Sequence, residues 1–524
     1  MKVNFGRILA QTAMTLGERE ALVNVERNRR YTVTQLHRLG NRIVNMMRER
    51  LQLRRGSVFM CILENDNLSL VHAWTVLKGE AAAAITNYRD SFDEHQWQID
   101  FMRPSVIFIE NALLDRYFEP LRQRGITVIC MDPPAEPREG LLCFWDLLEG
   151  ASDAEPDVES DVHHDVMMYR FTGGTTGKSK CVQYTMENWL GCRDSQFVDS
   201  DLDQLFVRDS RVLHMAPVSH GSGMSLLPTL FRGACSVTQN LPDLREWCRN
   251  VEKERITVGV LVPTLLYRLL DLKEAGEHDL STLCTLVYGA SPMSAAKLVQ
   301  LQARFGNIFM QVYGASECLQ IVTVLTKADH ASAGEARLAS AGRVTASAEL
   351  IVVDEDGRPL PAGATGEIWI RSRATVSGYF NNPEATASEF HNGYWKSGDL
   401  GYLDAQGYLY IVDRKKDMII TGGFNVYAVE VEAALTAHPA VENAAVVGVP
   451  HDEWGEAVHA EVVLRAGAQV STEALIEHVK SRLGRFKAPK SIEFVPTLPM
   501  SVVGKVMRRQ IREKYWQRHT RRVS

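Results

Sequence analysis

Short apolar runs separated by amphipathic stretches dominate the early part of the chain. Between about Arg30 and Asp132 the runs Val58-Phe59-Met60-Cys61-Ile62-Leu63, Val106-Ile107-Phe108-Ile109 and Ile126-Thr127-Val128-Ile129-Cys130 alternate with segments of helical period. Runs of this kind suit buried strands, so the alternation predicts parallel βα units. A second set of apolar strands and helices spans Val212 to Val324, including Val258-Gly259-Val260-Leu261-Val262 and Leu283-Cys284-Thr285-Leu286-Val287-Tyr288. Shorter strands with glycine turns follow from about Ala341 to Val412 and predict a small β-rich subdomain. From Arg414 onward strand and helix patterns alternate again, with Ala444-Ala445-Val446-Val447-Gly448-Val449 and Ala460-Glu461-Val462-Val463-Leu464 as strands. That length reads as a separate C-terminal domain. The acidic, polar stretch between Ala151 and Asp165 predicts a surface connection. No internal repeat or low-complexity tract interrupts the pattern, and the basic tail from Arg508 to Arg522 reads as a solvated helix end.

With 524 residues the chain exceeds one ordinary core and predicts at least two folding units. Its 45% hydrophobic and 23% charged residues are those of a soluble globular protein. A net charge of −6 and a pI near 6.2 give no bulk attraction to nucleic acid or anionic membrane, so any polyanion must meet a local site. Nine cysteines without a CxxC pair argue against a disulfide framework or a zinc site and suit reduced thiols in a cytoplasmic protein. The N-terminus does not lead into a charged-then-apolar signal, and no stretch approaches the roughly eighteen apolar residues of a membrane span.

The densest chemistry lies in Phe171-Thr172-Gly173-Gly174-Thr175-Thr176-Gly177-Lys178-Ser179-Lys180. Glycines let backbone N–H groups turn around an anion, threonine hydroxyls donate to it, and lysines neutralise it, which points to a nucleoside triphosphate. Thr172 to Ser179 differs from the Walker A pattern only at its first position. A Walker lysine–serine opens a helix, however, and here Lys180-Cys181-Val182-Gln183-Tyr184-Thr185 reads as a strand. With Met167 to Phe171 as the preceding strand, the loop is expected to join a hairpin.

This hairpin loop resembles the phosphate loop of the adenylate-forming superfamily: acyl- and aryl-CoA synthetases, luciferases and peptide-synthetase adenylation domains. Gly173, Ser179 and Cys181 depart from the usual serine, proline and glycine. Further segments fall in the family's order. Tyr313-Gly314-Ala315-Ser316-Glu317 resembles its YGxTE motif, which implies a phosphate contact for Ser316 and a Mg²⁺ ligand in Glu317. Ser397-Gly398-Asp399-Leu400-Gly401 resembles the motif whose aspartate binds both ribose hydroxyls, assisted by Arg414. Gly289-Ala290-Ser291-Pro292 is similar to the loop that packs on adenine. Pro499 to Lys505 resembles the last catalytic motif, which makes Lys505 the cation for the adenylation transition state.

The resemblance implies an α/β fold: a large N-terminal domain, residues 1–413, of two βαβ-type subdomains plus a β-rich subdomain, and a small mobile α+β C-terminal domain, residues 414–524, hinged at Lys416. It also implies a two-step reaction. A carboxylate attacks the α-phosphate of ATP to give an acyl-adenylate and pyrophosphate; a thiol then attacks the acyl carbon and releases AMP. Gly422 and Gly423 in Thr421 to Tyr427 resemble the segment lining the pantetheine channel of CoA ligases. Trp454 matches a position that stacks the CoA adenine in some relatives, and Lys487 and Lys490 are placed to meet its phosphates. ATP, Mg²⁺ and coenzyme A are thus the expected cofactors, with a carrier protein as the alternative acceptor.

Pro217 to Met224 resembles the segment beside the acyl group, with His220 at its customary aromatic or histidine position. His220 reads equally as a satisfied structural histidine. No aspartate stands there to hold an α-ammonium, so an unaminated acid, fatty or aromatic, is expected, with Tyr288, Met224 and Tyr313 flooring its pocket. The expected partner is this small carboxylic acid; nucleic acid and a membrane span are not expected, and a homodimer is left open.

Overall fold

The computed structural model describes residues 1–172, 179–199, 201–203, 205–332, 334–501 and 504–516. A seven-stranded sheet runs in the order Lys180–Thr185, Val166–Thr172, Ala82–Ile85, Val58–Ile62, Val106–Ile109, Thr127–Cys130, Leu141–Cys143. All neighbours are parallel except the edge hairpin, where Thr172 faces Lys180 across an antiparallel pair. The expected hairpin is therefore present. Its glycine loop, with Gly173, Gly174, Thr175, Thr176 and Gly177, lies outside the described residues.

The second sheet has nine strands, with Phe309–Ala315, Thr285–Gly289, Val258–Val260, Arg211–His214 and Cys235–Thr238 parallel in its centre. It is not contiguous in sequence. Glu20–Asn24 joins it beside Cys235–Thr238, with Leu22 opposite Ser236, and brings Arg29–Thr32 to the edge. Three buried apolar residues, Ala21, Leu22 and Val23, followed by buried Asn24, make a strand too short for its pattern to announce a partner more than two hundred residues away.

The β-rich region forms an antiparallel sheet of Ala348–Val353, Gly366–Ser372, Phe390–His391, Tyr394–Leu403 and Leu409–Arg414. Thr185 caps the helix Met186–Val198 through a capping box with Asn188, whose amide reaches the carbonyls of Arg373 and Thr375 at 3.2 Å. A Cβ on Gly191 would sit 3.1 Å from the backbone of Arg373 and Ala374, so glycine is what lets this helix approach the third sheet.

The last unit has its own sheet, in which Val441–His451 and Gly455–Leu464 pair along their length, and its own buried cluster around Val431, Val446, Val462 and Val479. The basic tail differs from expectation. Arg508–Trp516 is a helix that buries Ile511 and Trp516, and Arg508 pairs with Glu432 and Asp417, because its apolar positions face the sheet. The C-terminal unit meets the rest through Arg465 on Asp271 at 2.6 Å, Lys297 Nζ on the Val441 carbonyl at 3.4 Å, and Thr264 Oγ1 on the Gly504 carbonyl at 3.0 Å.

Candidate active site

The carboxyl ends of the parallel strands in both large sheets open onto one cleft of about 2170 Å³, which the third sheet and the C-terminal unit wall off. Ligand sites at such strand ends are a general property of α/β sheets. Thr172, Lys180, His220, Gly289, Ala290, Ser291, Tyr313, Gly314, Ser316, Glu317, Asp399, Arg414 and Lys505 all border it. Most of the residues singled out in sequence, drawn from three sheets and from the turn that carries Lys505, thus share one space.

Asp399 and Arg414 are direct cross-strand partners. The Arg414 guanidinium forms an ion pair with one Asp399 oxygen, its Nε 2.9 Å away, and the Tyr313 hydroxyl donates to the other at 2.6 Å. One cation and one donor fix the carboxylate while leaving lone pairs on both oxygens for further hydroxyls. Burial and this carboxylate raise the Tyr313 hydroxyl well above its ordinary range, so it remains a donor. Gly289 ends its strand where a Cβ would lie 2.1 Å from the Val312 carbonyl oxygen, and Ala290 follows with φ of +67°. The turn exposes backbone to the cleft at a cost of about 1–2 kcal/mol for a left-handed alanine.

Glu317 is buried, and burial raises its carboxyl above the usual range. The Tyr379 hydroxyl lies 3.0 Å from Glu317 and 2.6 Å from Glu389, and Lys180 pairs with Glu389 while its ammonium sits 4.7 Å from the Tyr379 ring centre. Sequence reasoning missed Tyr379 and Glu389. They lie in an unremarkable segment, and only the fold carries them to Lys180. The described residues contain no cluster of three or more His, Cys, Asp or Glu arranged to hold a metal.

Lys505 enters from a tight turn in which Ser501 and Lys505 exchange hydrogen bonds and Gly504 has φ of +78°. Burial and the neighbouring Arg414 push its ammonium down to about 8, against the pull of Asp399 and Glu317. His220 borders the same space. Burial, Arg170 and Lys505 hold its imidazole down at about 3, so it is neutral near pH 7. Tyr288 does not floor this space: it is fully buried in the core of the second sheet, and its hydroxyl meets His330 at 2.9 Å. A strand residue at this register points to the opposite face from the one expected.

Gly422, Gly423, Trp454 and Lys490 do not border the cleft and form a separate group. Trp454 stacks on His451 at 4.2 Å, Lys490 lies 5.5 Å from the Trp454 ring centre, and the Gly422 N–H donates to the Trp454 carbonyl at 3.0 Å. Lys487 is tied to Glu430 at 2.7 Å.

Comparison with known proteins decides the family. The AMP-binding enzyme family matches residues 9–380, and the AMP-binding enzyme C-terminal domain matches residues 430–505. The chain belongs to the AMP-binding enzyme family. It is 36% identical to the medium/long-chain-fatty-acid–CoA ligase FadD8 of Mycobacterium tuberculosis, over 79% of this chain and 72% of that protein. It is 30% identical to the fatty acid–[acyl-carrier-protein] ligase ScoC of Streptomyces coeruleorubidus, over 95% and 94%. The ATP-bound crystal structure of MatB from Rhodopseudomonas palustris superposes with a TM-score of 0.87 at 26% identity, covering 98% of this chain and 99% of that one. Family membership accounts for the α/β architecture with a large N-terminal part and a small C-terminal one. No helix among the described residues is long and apolar enough to cross a membrane.

Proposed function

We propose that this AMP-binding enzyme is an ATP-dependent acid–thiol ligase that joins a carboxylic acid to coenzyme A through an acyl-adenylate, releasing pyrophosphate and then AMP. The observation that carries this reading is the convergence of the Asp399–Arg414–Tyr313 cluster, buried Glu317 and Lys505 on one cleft. In this assignment Asp399 takes the ribose hydroxyls, Arg414 fixes Asp399, and the turn at Gly289 to Ser291 packs on adenine. Lys505, protonated below about pH 8, stabilises charge on the reacting carboxylate and α-phosphate. Glu317 and the phosphates would hold Mg²⁺, which keeps most of its waters and needs few protein oxygens. A buried carboxylate whose protonation is favoured by its surroundings suits a site completed by a cation.

The separate group at Gly422, Gly423 and Trp454 is assigned to the thiol, and the boundary between the two domains to residues 413 and 414, with Lys416 as hinge. Nine free cysteines, eight of them buried, support a reducing, cytoplasmic setting. Acid-dependent pyrophosphate release, followed by consumption of free CoA, tests the assignment. A carrier-protein acceptor is the second reading, supported by the likeness to a carrier ligase and by the exposed Phe424 and Phe486 rings, 5.4 Å apart beside the glycine pair. Comparing free CoA with a phosphopantetheinylated carrier separates the two.

A further inference from the structure

Arg170 is a buried cation without a counterion among the described residues. It lies in the strand Val166–Thr172 with 1% of its surface exposed, and neither its Nε nor its Nη2 has a hydrogen-bond partner among the described residues. No described carboxylate pairs with it. Its guanidinium carbon instead sits 5.4 Å from the Tyr184 ring centre. Glu317, which also acts on Tyr184, is taken up by Tyr379.

The residues around Arg170 repeat the same deficit. Tyr184 packs edge-on to Trp189 at 6.1 Å, and Trp189 packs edge-on to His72 at 5.6 Å. The Trp189 indole N–H and both His72 ring nitrogens are buried without partners. Gly223 closes the group from the other side, since a Cβ there would lie 2.9 Å from His72 Nε2. Two guanidinium N–H groups and an indole N–H therefore sit in one buried neighbourhood, short of acceptors. Burying a charge in this way is costly unless something pairs with it.

The neighbourhood adjoins the cleft. Arg170 and Thr172 are two apart on one strand and share a face, and Thr172 borders the cleft. His220 also borders it, and the charge of Arg170 helps to hold His220 neutral. His220 thus stands both at the space assigned to the acid and within the field of Arg170.

We propose that Arg170 binds a second carboxylate at the far end of the acid, so that the preferred substrates are dicarboxylic acids. This rests on the ligase reading. An acceptor-only anion with two oxygens matches the bidentate geometry of a guanidinium and satisfies the orphaned donors together. A monocarboxylic acid of equal length leaves them unpaired, and a site built to hydrogen-bond a substrate group discriminates strongly against analogues that lack it.

The test compares pyrophosphate release from matched mono- and dicarboxylic acids, aliphatic and aryl, by the wild type, Arg170→Met and Arg170→Lys. Thermal shift with each acid reads binding without turnover. The expected result is a kcat/KM ratio of diacid to monoacid of about tenfold or more in the wild type, collapsing toward one in Arg170→Met and partly kept in Arg170→Lys. Diacids should raise the melting temperature of the wild type and not that of Arg170→Met. Methionine removes the unpaired charge at similar length, so the unliganded variant should melt no lower than the wild type. If it does not fold, the lysine variant decides through the same ratio.

Equal use of both acid classes by the wild type overturns the proposal, as does a parallel loss of both in the variants. A chloride-induced thermal shift as large as that with diacids also overturns it, assigning the site to a free anion. If no acid supports pyrophosphate release, the ligase reading fails and the thermal shift alone decides. A diacid-specific rise abolished in Arg170→Met keeps the site, and its absence removes it.

Discussion

In the proposed reaction Lys505 carries the sharpest demand on a single side chain, since there it is charged in a buried setting and faces the α-phosphate when the adenylate forms. Lys505→Ala is expected to abolish acid-dependent pyrophosphate release while leaving thioesterification of a supplied acyl-adenylate much less affected; equal loss in both half-reactions would remove the assignment. The same residue predicts a pH limit. Its charge is present below about pH 8 and is lost above it, so the adenylation rate should fall as pH rises through that value. The unfolded chain keeps this proton to about 10.5, so the burial cost to stability should be relieved between those values. His220, held near 3, should contribute no ionisation around its ordinary 6.5. An inflection near 6.5 that disappears in His220→Ala would contradict this. Asp399→Asn should raise KM for ATP by about tenfold to a hundredfold, because hydrogen bonds to a charged acceptor are the strong ones. Arg414 is nearly half exposed and recovers water, so the accompanying loss of stability should be small.

Elements fix these residues through contacts that tolerate little side-chain bulk. At Gly289 a Cβ meets the Val312 carbonyl oxygen, so Gly289→Ala should separate two central strands and cost about 1–3 kcal/mol by chemical denaturation, with ATP binding weakened in parallel. Gly423 is the opposite case: φ is +82°, yet no atom lies within 4 Å of a built Cβ. Gly423→Leu should therefore cost about 1 kcal/mol through backbone conformation while the protein stays folded. Pyrophosphate release should persist and acyl-CoA formation should fall; a joint decline in a folded variant would detach this glycine from the thiol route. Buried runs such as Val58–Ile62 and Val106–Ile109 were legible because uninterrupted β-branched and apolar residues admit few alternatives. Glu20–Asn24 was not legible as part of the second sheet, since pairing across the chain leaves no local trace. Tyr288 faced away from the cleft for a related reason: the side a strand residue takes depends on register, which its neighbours in sequence do not state.

At the scale of the molecule, the site exists only while the C-terminal unit brings Lys505 against the cleft of the larger part. Motif order was enough to read the residues of Thr172 to Lys505 as one site, but not the orientation that brings Lys505 to Asp399 and Glu317, nor the Glu389–Lys180 pair and the orphaned Arg170, which arise from packing alone. Polar contacts that hold that orientation include Arg465 with Asp271, Lys297 with the Val441 carbonyl, Thr264 with the Gly504 carbonyl, and Asp413 with the Ala428 N–H and Arg508. Lys297 is buried, and burial lowers its ammonium to about 8, so its contact weakens in the same pH range in which Lys505 loses charge. The Arg465–Asp271 pair is partly solvated and worth about 0–1 kcal/mol, which makes it a reversible latch rather than a lock. If the C-terminal unit rotates between half-reactions, as the ligase reading implies, Asp271→Ala should slow adenylate formation by up to about fivefold and leave thioesterification equal or faster. Single-turnover measurement of each half-reaction checks this. A slower second half-reaction, with adenylation unchanged, would mean that this interface supports the thiol step instead.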